Sequence, residues 1–396
     1  MDNFEFHLPT RIIFGNGSFS KFAAETARVA QKVILVTGRG SVRQLGLLDK
    51  ALQLLERAKV EVVIFDRIEP NPRAHTIDEG AAIAGAEKCG AVVALGGGSA
   101  MDAAKGIALV AASGGSVWDY VRKGPGIMRP LSSALPIITV PTIAATGSEA
   151  NSGAVITNEA TKEKGVIFGK PLYPVTAVID PALTASLPPN LTADGGVDIL
   201  CHLLESYFTG NNESPIQDRI TESIARVVIE ETPKAVRNGG DLSARANLSW
   251  ASTLALSGIP ESGRMGSFPL HGIEHSLSGH YDISHGRGLA ILLPVLMDYT
   301  CAKRPERYTQ LGERVFGLDL SGATPEEGAR QSIAVMRQWL EGLGIELTLR
   351  SLGINEERFE QMANDALRLY GRGKDFLENP RPLYKDDIIA IFRAAL

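Results

Sequence analysis

The chain has 396 residues, 44% hydrophobic and 21% charged, the profile of an ordinary globular protein with room for two or three domains. A formal net charge of −5 offers no basic surface for nucleic acid, and no run approaches the roughly 18 apolar residues of a membrane span. Three scattered cysteines (Cys89, Cys201, Cys301) argue against a disulfide framework or a CxxC zinc site, and the start MDNFEFHLPTRIIFG shows no secretory pattern, so the cytoplasm is expected.

In chain order, strand-like apolar runs fall at 11–14, 33–37, 60–65, 91–95, 135–140, 154–157 and 177–179. Amphipathic helical stretches at 47–59 and 77–89 lie between several of them. Continuous apolar strands alternating with helices predict an α/β domain with a largely parallel, Rossmann-like sheet. After Asp180-Pro181 the texture changes. Helical patterns dominate at 194–207, 216–235, 242–257, 285–299 and 324–343. The reading is therefore an α/β domain over 1–185 and an all-helical domain over 186–396, with a cleft between them as a natural place for a ligand.

Two glycine turns carry the nucleotide argument. The apolar run 91–95 leads into Gly96-Gly97-Gly98-Ser99 and then a helical run, 100–111. Strand, glycine turn and helix bring backbone N–H groups to a phosphate, and glycine avoids a blocking Cβ and permits positive φ. Such clusters also serve simply as tight turns. The other turn, Gly38-Arg39-Gly40-Ser41, misses the G-x-G-x-x-G fingerprint because Arg43 stands at the third glycine. Neither turn is a P-loop. A third segment, 141–149, is rich in hydroxyls that bind ribose or phosphate, or cap a helix through Thr146 or Ser148.

The histidines are the most informative feature. Five of seven fall between His202 and His285. Asp198 and His202 stand i,i+4 within one helical run, and His271 and His275 repeat that spacing. Each pair shares a helix face. His285 opens the next apolar helix, where a short turn brings it back toward His271. Scattered, locally hydrogen-bonded histidines are the plainer reading, but two such sets in a histidine-poor chain point to a metal. One carboxylate with three imidazoles suits Fe²⁺ or Zn²⁺ and suits Mg²⁺ or Ca²⁺ poorly. The spacing is not H-E-x-x-H, so a zincin protease is not indicated.

At these residues the chain resembles the iron-containing (group III) alcohol dehydrogenases, most closely the butanol dehydrogenase and aldehyde reductase branch. The likeness spans the whole chain: NFEFHLPTRIIFGNG, GGGSAMDAAK, PTIAATGSEANSGAVIT, VIDPALTASLPP, DGGVDILCHLLE and HGIEHSLSGHYDISHGRGLAILLP, in that order. The resemblance implies the dehydroquinate synthase-like fold, a metal held by Asp198, His202, His271 and His285, and a partner in a second copy of the chain, a homodimer. It puts Gly97, Gly98, Ser99 and Asp102 at the pyrophosphate turn. Thr139, Thr142, Thr146, Ser148, Asn71 and Lys164 fall at further cofactor positions. His275 matches a histidine near the nicotinamide that does not ligate metal.

Relatives that use NAD often carry Asp at the position of Gly38. Here Gly38, Gly40 and Ser41 offer N–H groups and a hydroxyl instead, which favours NADP, although Asp66 near the next strand's end argues for NAD. The implied reaction moves hydride between nicotinamide C4 and a small alcohol or aldehyde at the metal, with His275 relaying the proton. Rival readings are a glycerol-type polyol dehydrogenase, a dehydroquinate synthase-like lyase and a non-catalytic nucleotide sensor. The lyase needs a basic cluster that 196–276 does not supply near the ligand helices.

Overall fold

The computed structural model describes residues 1–124, 128–211 and 213–396. The aliphatic runs become β1 (Arg11–Phe14), β2 (Lys32–Gly38), β3 (Glu61–Ile68), β4 (Ala91–Gly96) and β5 (Ile137–Pro141). They are followed by β6 (Gly153–Asn158), β7 (Glu163–Phe168) and β8 (Thr176–Ile179). Six of these form one sheet in the order β1-β8-β5-β4-β2-β3, every pair parallel.

Successive residues of the central strands enter two different cores. Ile34, Val36, Val92 and Ala94 face one; Val33, Leu35, Ala91, Val93 and Leu95 face the other. Both faces are covered by helices, which is why these strands read as unbroken apolar runs rather than as alternation. The chain runs outward from β2 to β3, then crosses back to place β4 on the other side of β2. That reversal is a switch point, and ligands of open parallel sheets bind beyond the strand ends there. The two glycine turns leave from β2 and β4.

Two strand features depart from the sequence reading. The run at 154–157 is not in the main sheet; β6 pairs antiparallel with β7 as a separate hairpin. The strand β7 was hidden because it opens with Glu163 and Lys164, which look like loop residues yet are 7% and 4% exposed.

The chain divides into two compact units, residues 8–186 and residues 187–396 joined by residues 1–7. The second unit is built from helices, among them Pro189–Thr209, Pro215–Arg237, Leu242–Ala255, Pro269–Tyr281, His285–Thr300, Pro325–Gly342 and Phe359–Tyr370. Several begin with proline, which fits the first helical position because its missing N–H has no partner there. The expectation of helices alone needs one correction. β9 (Phe376–Leu377) and β10 (Leu383–Tyr384) make a short antiparallel pair, too brief to leave a period in the sequence. Among the described residues no helix is long and apolar enough to cross a membrane.

Helix Pro189–Thr209 is buried from Thr192 to Phe208, so its polar residues must be satisfied inside. Arg307 donates to the carbonyl of Tyr207, and Arg304 donates to those of Phe208 and Gly210. Cations on the last carbonyls cap the helix and complement its dipole.

Candidate metal centre and cofactor turns

Asp198 and His202 project from one face of helix Pro189–Thr209, in its buried middle. His271 and His275 sit on helix Pro269–Tyr281, and His285 is the first residue of helix His285–Thr300. Asp198 Oδ1 is the meeting point. It lies 3.6 Å from His202 Nδ1, 3.6 Å from His271 Nε2 and 3.7 Å from His285 Nε2. Ligating atoms of Asp198, His202 and His271 all fall within 4.8 Å of one another. His285 reaches this group through Asp198, and also forms a second group with Glu274 and His275.

Asp198 Oδ1, His202 Nδ1 and His271 Nε2 are buried and have no hydrogen-bond partner. Each such orphan costs about 1–3 kcal/mol, so three pointing at one another form a costly arrangement unless a cation joins them. A mixed oxygen and nitrogen set fits Fe²⁺ or Zn²⁺. The metal-free electrostatics differ from ligand to ligand. Burial pushes the Asp198 carboxyl up, but the facing imidazoles outweigh it and hold the group ionised. Burial drives His202 down to about 3, so it stays a neutral ligand. His271 loses to burial but gains more from Glu205 and Asp198, which raise it to about 10.

The rings are backed by further groups that the histidine spacing did not reveal. Glu205, on the Asp198 helix, bonds His271 Nδ1 and accepts from the backbone N–H groups of Leu270 and His271. Glu274 bonds His285 Nδ1. Tyr370 bonds His275 Nδ1 through its hydroxyl. Glu274 was visible inside HGIEH and Glu205 inside DILCHLLE, but no periodicity says which histidine each would meet. His280 Nε2 bonds Asp365 Oδ2 at 2.9 Å and ties its helix to Phe359–Tyr370.

In the other unit, Gly97 caps helix Gly98–Ser113, so Gly98 and Ser99 form its N-terminal turn. None of Gly96, Gly97 and Gly98 has positive φ, so the expected conformational role gives way to space alone. A Cβ on Gly97 would come within 2.9 Å of Ile143, and one on Gly98 within 2.6 Å of Thr146. The turn therefore packs directly on the segment that carries Thr142 and Thr146, with no side chain of its own at Gly97 or Gly98.

Asp102 and Lys105 follow one and two turns on. Asp102 accepts from Ser148 Oγ at 2.6 Å and from Val155 N at 2.9 Å. Lys105, fully buried, donates to Ser148 Oγ, Asn151 Oδ1 and the Gly153 carbonyl at 2.7–2.9 Å. Thr139 donates to the Glu149 carbonyl at 2.9 Å. Ser148 and Thr146 cap no helix, contrary to the capping alternative, because the segment stays in turns. Ser148 N bonds Thr146 Oγ1 instead. Asp102, Thr139 and Ser148 thus spend these groups on holding the segment in shape.

Asn71 and Lys164 form a separate contact, Nζ to Oδ1 at 2.8 Å, joining the loop after β3 to β7. Gly38 ends β2, and Ser41 opens the short helix Ser41–Gln44 behind Gly40. The arginines here are paired. Arg43 bonds Asp66 at 2.6 Å and Arg39 bonds Glu69 at 2.5 Å, both guanidinium groups remaining more than half exposed.

Comparison with known proteins places this geometry. The family model described as iron-containing alcohol dehydrogenase matches residues 9–181, and its C-terminal counterpart matches residues 192–396. A probable NADH-dependent butanol dehydrogenase of Bacillus subtilis (strain 168) is 38% identical over 399 residues, covering 100% of both chains. An NADPH-dependent aldehyde reductase of Escherichia coli (strain K12) is 34% identical over 357 residues, 90% of each chain. The crystal structure of an NADH-dependent butanol dehydrogenase A from Thermotoga maritima superimposes with a TM-score of 0.94 at 36% identity, covering 100% of this chain and 99% of that one.

Proposed function

The chain belongs to the iron-containing alcohol dehydrogenase family, and from that premise we propose that it interconverts small aldehydes and primary alcohols using NADP(H) and an Fe²⁺ or Zn²⁺ ion. It is an oxidoreductase. The observation that carries the metal reading is the meeting of three orphaned buried atoms, from Asp198, His202 and His271, with His285 Nε2 beside them.

When bound, the ion would supply Lewis acidity to the carbonyl or hydroxyl oxygen, and the reduced nicotinamide a hydride at C4. The protein's share is to hold charge and protons. Counting the four ligands alone, one carboxylate and three neutral imidazoles would leave a divalent ion near +1, and the Glu205 and Glu274 carboxylates behind the rings would lower that charge. His275 is the proton relay in this reading: its ring lies 5.0 Å from that of His285, and Tyr370 bonds its far nitrogen. An imidazole titrates in the range such a relay needs. Gly97, Gly98 and Ser99 would seat the pyrophosphate on the helix N-terminus, with Thr142, Thr146, Asn71 and Lys164 around it.

Preference for NADP rests on the end of β2. Gly38 puts no carboxylate there, while Ser41 and two guanidinium groups stand close in sequence. Asp66, the residue that argues for NAD, is paired with Arg43. The two exposed ion pairs are worth about 0–1 kcal/mol each. A doubly charged 2′-phosphate can therefore displace the carboxylates. The curated relatives named above include both NADH- and NADPH-dependent enzymes, so family membership alone does not choose.

The relatives named are dehydrogenases and a reductase, which favours this reading over the lyase. The reading also places the enzyme in the cytoplasm as a homodimer. Three free cysteines, two of them buried, suit a reducing compartment. The deciding experiment measures NADPH and NADH oxidation against an aldehyde panel, glycerol-derived aldehydes included, using chelator-treated protein reloaded with Fe²⁺ or Zn²⁺. No turnover with either metal would sink the proposal. A kcat/KM for NADH equal to or above that for NADPH would sink the NADP assignment.

A further inference from the structure

Three histidines crowd the centre on two consecutive helices, His271, His275 and His285, yet the group behind each ring differs in kind. His271 and His285 turn Nε2 toward Asp198 and have a carboxylate at Nδ1, Glu205 and Glu274 respectively. His275 has a phenol at Nδ1, that of Tyr370. We propose that the group behind each ring sorts these histidines by tautomer, Glu205 and Glu274 making His271 and His285 metal ligands and Tyr370 making His275 an N–H donor. The inference rests on the metal reading above.

The chemistry is that of an imidazole with one proton to place. A carboxylate only accepts, so it draws the N–H to Nδ1 and leaves the Nε2 lone pair for a cation. A phenol O–H is a good donor, and an imidazole nitrogen is a better acceptor than donor toward it. Its hydrogen bond therefore occupies the Nδ1 lone pair and puts the ring proton on Nε2. An Nε2–H cannot ligate a metal but can donate to an oxygen. Three rings of the same residue type, in one cluster, are thereby given different tasks without any change in the rings themselves.

The carboxylates are placed for this role by the fold. Glu205 is on the ligand helix Pro189–Thr209, and its second oxygen is anchored by the backbone N–H groups that open helix Pro269–Tyr281. Glu274 is fully buried, and its other oxygen is pressed against Gly288, where a Cβ would come within 2.6 Å. Backbone donors hold Glu205, and Glu274 is enclosed by burial. Tyr370 is fixed likewise: a Cβ on Gly272 would lie 3.1 Å from it, so the glycine admits the ring beside His275. Within the close group of Glu274, His275 and His285, Glu274 Oε2 bonds His285 and the Tyr370 hydroxyl bonds His275.

The test combines metal binding with tautomer spectroscopy on full-length protein labelled with ¹⁵N-histidine. Zn²⁺ affinity is measured by equilibrium dialysis for wild type, Glu205→Gln, Glu274→Gln, Tyr370→Phe and Asp198→Ala, with apoprotein melting as the control for folding. The two glutamate variants are expected to raise Kd about 10–100-fold. Tyr370→Phe is expected to leave Kd within about threefold, while the His275 nitrogen signals change from one tautomer to a mixture. Wild-type affinity in both glutamate variants, or an unchanged His275 spectrum in Tyr370→Phe, overturns the sorting. If Asp198→Ala still holds a full equivalent, the ligand reading itself is wrong, and this inference with it. Should Glu205→Gln fail to fold, Glu274→Gln and Tyr370→Phe still decide the matter.

Discussion

Arg287 Nε donates a 2.8 Å hydrogen bond to Oδ1 of Asp194, a residue 93 positions earlier in the chain. Ser284 Oγ donates to the other oxygen at 2.8 Å, so a single carboxylate grips both sides of His285. The approach is close: a Cβ on Gly286 would lie 2.3 Å from the Asp194 carbonyl oxygen. Asp194 stands one helical turn before Asp198, which means the ligand helix itself sets where His285 begins its own helix. Asp194→Ala is expected to weaken Zn²⁺ binding about tenfold by loosening that turn. Equilibrium dialysis checks it, and an unchanged Kd would show that Glu274 alone positions His285.

Replacing His275 by Phe keeps a ring in place and removes both nitrogens. A relay of this kind contributes about 10²–10⁴-fold, so kcat is expected to fall by at least about a hundredfold while Zn²⁺ binding persists. Unchanged kcat across the pH range would reduce His275 to packing.

Gly38→Asp tests cofactor choice at the end of β2. The added Cβ would meet only the Ile68 carbonyl at 3.6 Å, an ordinary contact, so the variant is expected to fold. Its carboxylate would accept from a ribose hydroxyl and repel a 2′-phosphate. The NADH-to-NADPH ratio of kcat/KM is expected to rise about tenfold or more, roughly 1.4 kcal/mol. A ratio that does not move would place the 2′ group elsewhere.

Lys105→Met removes the cation that holds Ser148, Asn151 and the Gly153 carbonyl together. It also leaves Asp102 buried without that charge, and burial already pushes the Asp102 carboxyl up. Hydrogen bonds to a buried charged group are worth about 1.5–3 kcal/mol each, so a lowered denaturant midpoint is expected. KM for the cofactor should rise with it, because the Thr142–Ser148 segment loses its anchor. A midpoint within error of wild type would contradict this account.

The carboxylate oxygens of Glu261 are buried, and burial outweighs nearby Arg264 to raise the group from 4.5 to about 8. The sign follows from proton counting. Between pH 4.5 and about 8 the folded chain keeps a proton that the unfolded chain has lost, so stability falls as pH rises through that window. Glu261→Gln removes this slope. At pH 8 it is expected to be the more stable protein by on the order of 1–3 kcal/mol, and at pH 5 the two should nearly coincide. Parallel pH slopes for the two proteins would rule out the shift.

The strands of the parallel sheet were legible because burial on both faces leaves a plain mark, an unbroken aliphatic run such as Val33 to Val36. The hairpin strand β7 was not, since Glu163 and Lys164 look solvated until tertiary packing buries them. The i,i+4 pairs Asp198/His202 and His271/His275 were equally plain, because a helix turns every 3.6 residues whatever surrounds it. That arithmetic treats His271 and His275 alike. Only the folded chain brings Glu205 behind one and Tyr370 behind the other, from helices far apart in sequence. Local spacing fixes which side chains share a face, while long-range packing decides which group takes each ring's proton. The amino-acid order alone made the parallel sheet, the helical second half and the candidate metal ligands legible, and the tertiary structure alone decided which groups stand behind those ligands.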